Sequence, residues 1–167
     1  MLGALRFEPR VYAAVAERPG ALYEAAAAVV LAGVARGVGA WPKEGWLGVV
    51  GGVVVGVLLW LVAALLIWAV TSVMIRRRPA FAPVLRTLGL AATPMLGLAL
   101  SGLPLVGRAF WVVSHLMATA AAVLAVREGE RVTTRQAASI CVIAVFFGLV
   151  LSTALGADLP ADSSTRP

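Results

Sequence analysis

Charge is scarce in this chain of 167 residues: 13% are Asp, Glu, Lys or Arg, about half the share of a soluble domain. With 61% hydrophobic residues and a mean hydropathy of +0.95, that scarcity excludes a cytosolic enzyme, a disordered regulator and a secreted disulfide scaffold. Cysteine is limited to Cys141, inside an apolar run, so no intramolecular disulfide can form. With His115 the single histidine, no ligand cluster has metal spacing. No phosphate-cradling glycine loop or pair of carboxylates is present either, since Glu128 and Glu130 fall in a solvated loop beside arginines. No enzymatic activity and no cofactor are therefore expected. Lysine is missing but for Lys43, and an arginine-only balance with abundant alanine suggests a GC-rich, prokaryotic genome. The first twenty residues hold Arg6, Glu8, Arg10, Glu17 and Arg18 and no unbroken apolar core, so no leader peptide is expected.

What is present is apolar sequence in long runs. A membrane-crossing helix needs about 20 mostly apolar residues. Five segments meet that need: Ala21–Gly39, Trp46–Ile75, Thr87–Val106, Ala109–Val126 and Ala137–Ala157. The first holds Glu24 and Arg36 near its ends, where long side chains reach back to the polar boundary. The second has no charge at all and, at about 45 Å, exceeds a bilayer core, so its first turns belong in the interface. Runs such as Val53-Val54-Val55 favour strands in water, but these segments lack the alternation of a membrane barrel. The expected fold is an all-α bundle of five transmembrane helices with lipid as its surroundings.

The basic residues orient that bundle. A net charge of +6 would suggest nucleic acid in a soluble protein, yet the charges form short clusters between apolar runs. Membrane topology accounts for them, and no nucleic-acid partner is expected. Arg6, Arg10 and Arg18 precede the first helix, Arg76, Arg77, Arg78 and Arg86 follow the second, and Arg127, Arg131 and Arg135 follow the fourth. The other side has only Arg36, Lys43, Arg108 and Arg166. Cytoplasmic loops carry the excess of Lys and Arg, so the N-terminus is placed in the cytoplasm and the C-terminus outside. Trp41, Trp46 and Trp111 then share the outer interface, where aromatic belts form.

Three parts follow. Residues 1–20 are a short cytoplasmic arm in which Pro9 can open a helix with Tyr12, Val15 and Ala16 on one face. That pattern fits an amphipathic helix on the membrane surface, with a plain lead-in to the first crossing as the alternative. Residues 21–157 are the membrane domain. Residues 158–167, polar and with two prolines, are read as a disordered tail.

The order of elements is familiar. FEPRVYAAVAERPG, a first helix ending near Gly37-Val38-Gly39 and a long apolar second helix come in turn. LRTLGLAATP then opens the third helix, LP closes it, and AVREGERVTTRQA joins the fourth to the fifth. Over about residues 5–155 this resembles the bacterial branch of the Yip1-domain family, five-helix integral membrane proteins. Arg86, Gly89, Pro94, Pro104 and Ala125-Val126-Arg127 carry the resemblance. It implies a multi-pass protein of the cell membrane that organises or recruits partners in the bilayer without chemistry of its own. Those partners are other membrane proteins or further copies of the chain. Eukaryotic relatives contact Rab-type GTPases, but the soluble N-terminal region is nearly absent here and no DLYGP motif precedes the first helix, so that role does not carry over.

Several residues stand out within the helices. Gly48, Gly52 and Gly56 form a doubled G-x-x-x-G, a groove that admits a second helix closely, from the same chain or another copy. Pro94 predicts a kink near Leu90, and Pro104 lies in the outer turn. His115 is the one ionisable group placed deep in the bundle. It is either a proton-relay site or a neutral imidazole satisfied by a carbonyl or by a hydroxyl such as that of Ser101. The first option belongs to an alternative function, a small transporter or permease subunit with His115 as its polar site. Ala99-Leu100-Ser101-Gly102 approaches the G-x-S-G of intramembrane serine proteases but lacks the leading glycine. No further group is placed there to hold an oxyanion.

Overall fold

The computed structural model describes the backbone of residues 8–75 and 80–154 and the side chains of residues 8–74 and 80–146. Arg76, Arg77 and Arg78 of the basic cluster lie outside the described residues, as does the tail 158–167. Among the described residues the chain consists of helices joined by short turns, with no strand. Helix α1 spans Pro9–Glu17, α2 Ala21–Ile75, α3 Phe81–Ala91, α4 Gly107–Glu130 and α5 Thr134–Ala154, and a 3-10 segment, Thr93–Leu100, extends α3.

Helix α2 is a hairpin. It folds back at Gly45, whose φ of 56° and ψ of −143° are open to glycine and costly for any residue with a Cβ. Pro42, just before the turn, withdraws an amide from the last turn of the first arm. The arms, 21–44 and 46–75, run antiparallel: Gly33 meets Gly52 and Val53, while Gly37 meets Gly48 and Val49.

Helix α3 starts at Phe81, earlier than the expected Thr87, and the disturbance expected at Pro94 takes the form of a change of helix type. The α-helix stops at Ala91, and Pro94 opens the 3-10 segment from a position where a missing amide costs little. In a continued α-helix the Leu90 carbonyl would look to the amide that Pro94 lacks. Thr93 Oγ1 donates to that carbonyl instead, at 2.6 Å. The break is thus satisfied from within.

Contacts set the remaining directions. The first arm runs parallel to α3 and its extension, since Ala25 packs on Gly89 and Gly39 on Leu98 and Ser101. Helix α4 runs the opposite way, with Ser114 beside Gly97 and Gly129 beside Thr87. The Trp60 indole donates to the Leu85 carbonyl at 3.0 Å and ties the second arm to α3. Ala64, Ile67, Val84, Leu88, Val126, Ala137 and Ile140 bury the centre of the second arm, α3, α4 and α5 together. Across the described residues alanine supplies about half of the buried apolar positions, and such small side chains let helices approach closely.

Helix α1 forms, and its apolar face is turned to the bundle. Tyr12 and Val15 are buried with Leu90, Ala91, Ala121 and Ala125, so protein covers the face that the pattern offered to a membrane surface. Arg86 Nη1 donates to the Ala16 carbonyl at 3.0 Å. Arg131 pairs with Glu17 at 2.8 Å, but both are so exposed that the pair adds little. Burial carries the docking. It also pushes the Tyr12 phenol up to about 12 from its ordinary 10.0, because the pocket disfavours the phenolate. An undocked Tyr12 ionises first, so docking keeps its full strength below about pH 10 and loses it as pH rises towards 12. Tyrosinate absorbance should therefore show a step near pH 12 that Tyr12→Phe abolishes; a titration unchanged by that substitution would refute the buried phenol.

Candidate functional site

The doubled G-x-x-x-G meets its counterpart inside the chain. Gly52 lies against the Gly33 carbonyl oxygen, Gly48 against Gly37, and Gly56 against Gly33. A methyl added at Gly33 would stand 2.7 Å from the Val53 Cα and 2.8 Å from the Gly52 oxygen, both backbone atoms that cannot swing aside. Gly33 and Gly37 are themselves a G-x-x-x-G in the first arm. Their four-residue spacing was the signal available in the sequence, and pairing them with the second stripe needed the turn at Gly45.

Ser101 and His115 do not serve each other. The Ser101 hydroxyl donates to the Leu98 carbonyl at 2.6 Å. His115 Nδ1 lies 2.8 Å from the Trp111 carbonyl oxygen, which can only accept, so this nitrogen carries the proton. The imidazole also stacks on the Trp111 indole, with ring centroids 4.2 Å apart. Ser72 and Thr119 likewise donate to carbonyls of their own helices, Trp68 and His115. Pro104 lies in the turn between the 3-10 segment and α4, beside Leu105, whose φ is 73°. Arg86 is half-buried at the opposite end, under α1.

Between the middle of the two arms, α3 with its extension and α4 lies an apolar cavity of about 360 Å³. Val29, Gly33, Gly56, Leu59, Met95 and Ala118 are among the residues that line it. Its polar borders are few. The Trp60 nitrogen is already given to Leu85, which leaves the His115 imidazole and the Arg36 guanidinium. Arg36 is exposed and has no carboxylate or carbonyl partner among the described residues. It sits about 13 Å along the helix from Gly45, below the exposed Trp41 and Trp46. At the other end Arg18 pairs with Glu24 at 2.8 Å and Arg127 with Glu128 at 2.6 Å.

Among the described residues three helical stretches are long and apolar enough to cross a membrane: Ala21–Met74, Phe81–Leu100 and Gly107–Glu130. The class is therefore an all-helical protein compatible with a membrane location. No family model, no curated protein and no solved structure matches the chain.

Proposed function

We propose that the chain is a multi-pass protein of the prokaryotic cell membrane, with five crossings, that organises or recruits partners within the bilayer, as its resemblance to the Yip1-domain family implies. The observation that carries this reading is the outer face of the second arm. Leu47, Val50, Val54, Leu58, Leu61 and Leu65 are all exposed and recur at steps of three and four, within a wider apolar surface that also exposes Val55, Leu59 and Val62. That is the spacing at which one helix offers a continuous seam to another. The transporter alternative has less support. A polar substrate needs several polar groups facing a mid-membrane path, and Ser72, Thr93, Ser101, His115 and Thr119 are turned to carbonyls three or four residues back. The buried Thr71 hydroxyl is one group without a hydrogen-bond partner among the described residues.

Two measurements test the reading. Reporters active on one side only, fused to each terminus, should place the N-terminus in the cytoplasm and the C-terminus outside; matching signals from the two ends would refute five crossings. A cysteine introduced by Leu58→Cys should cross-link to a neighbouring membrane protein or to a second copy, since the native Cys141 is buried and silent. Cross-linking no stronger than that from a cysteine at Val142, on α5, would leave the seam without a partner and refute recruitment through it.

A further inference from the structure

We infer that the cavity beneath the hairpin turn is a binding site for an anionic phospholipid of the surrounding bilayer, with one acyl chain in the cavity and the phosphate on Arg36. The volume, about 360 Å³, is at the small end of the ~300–1,000 Å³ of ligand sites and suits one chain. The walls come from alanine, glycine, valine, leucine and methionine, which reward an alkyl chain and offer a polar solute almost nothing.

Arg36 supplies the charge. The exposed guanidinium lies about two and a half turns from the hairpin end, where a long side chain can reach the polar boundary, and it makes no hydrogen bond or ion pair among the described residues. Among the described residues Glu17, Glu24 and Glu128 are paired with other arginines, and no carboxylate pairs with Arg36, which leaves its guanidinium open to a phosphate. Arginine's planar fork fits a phosphate with two parallel hydrogen bonds. The bilayer presents phosphates at the adjoining depth and at high local concentration. A zwitterionic head group brings its own cation to the same place and offsets the attraction, which is why the site prefers net negative charge. This inference needs only a bilayer around the bundle, so it stands whether or not the exposed seam of the second arm recruits a partner.

The test uses the purified full chain in a non-ionic detergent, with thermal unfolding followed as lipid is added. An anionic phosphatidylglycerol near 100 times its Kd should raise Tm by about 5–10 °C. Phosphatidylcholine with the same chains should give less than half of that rise. Arg36→Gln should erase the difference between the two lipids, whereas Arg108→Gln, which changes an exposed arginine outside the cavity, should preserve it. Ala63→Phe, which fills the cavity from the second arm, should remove the response to both lipids. Equal responses to the two lipids in the unaltered chain, or an Arg36→Gln response like the unaltered one, would overturn the inference. So would a full response to a free fatty acid, which would make the ligand a single-chain carboxylate, or stabilisation that follows protein concentration without lipid, which would make the occupant a second copy. If the variants fail to fold, mass measurement of the unaltered chain extracted from mixed membranes decides. Retention of anionic lipid at one per chain is expected, and extraction bare or with zwitterionic lipid would refute the site.

Discussion

Gly52→Leu should destabilise the protein by about 3 kcal/mol or more, while Gly51→Leu, one residue away, should stay within about 1 kcal/mol of the parent. The two sites share a helix, a residue type and hence a propensity. Their surroundings differ. A Cβ at Gly52 runs into the Gly33 carbonyl oxygen and comes within 3.0 Å of the Gly37 nitrogen, whereas one at Gly51 meets nothing within 4 Å. Backbone cannot move aside as a flexible side chain can, so a large residue at position 52 must force the arms apart. That lost contact is the main attraction between helices in lipid. Thermal or denaturant unfolding in detergent reads both variants, and equal shifts would refute the hairpin contact. Val54→Leu, on the exposed side of the same arm, serves as a second control and should be close to neutral.

Tyr12→Ala should release α1 from the bundle. Tyr12 is fully buried and is among the largest buried side chains, so truncation removes about 3–5 kcal/mol of packing by analogy with other large aromatic residues. The loss cannot exceed the free energy that holds α1 in place, because undocking relieves the cavity; the rest of the bundle then keeps its own stability. Hydrogen exchange should therefore speed up across residues 11–17 and at Ala21 and change little in α4 beyond the residues under Tyr12. Tyr12→Phe should preserve protection at neutral pH, since the ring fills the site. Uniform acceleration along the chain, or none at α1, would refute a separately docked arm.

The helical character of the chain was legible without coordinates. In lipid, backbone amides are satisfied in helices or closed barrels, and long charge-free runs without period-two alternation leave the helix. The Tyr12, Val15 and Ala16 face of α1 was equally plain, because three positions at helical spacing depend on nothing beyond the helix itself. What covers that face was not: Leu90, Ala91, Ala121 and Ala125 come from segments far along the chain. Periodicity says that a face is apolar and is silent on whether lipid or protein meets it.

Pro94 shows the same division. Its missing amide guaranteed a disturbance in the third segment, but kink and 3-10 break differ only in how the stranded Leu90 carbonyl is satisfied. Thr93 settled that locally. For His115 and Ser101 the sequence offered a mutual bond or carbonyl partners, and the geometry chose a carbonyl for each. Gly48, Gly52 and Gly56 announced a groove and left its occupant open. The positive φ of Gly45 folded Gly33 and Gly37 onto them, because one residue at the turn fixes the register of both arms. Arg36 was readable only as a long side chain reaching for water. Its place on the border of an apolar cavity depends on how the two arms, α3 with its extension and α4 pack together, which no single segment encodes.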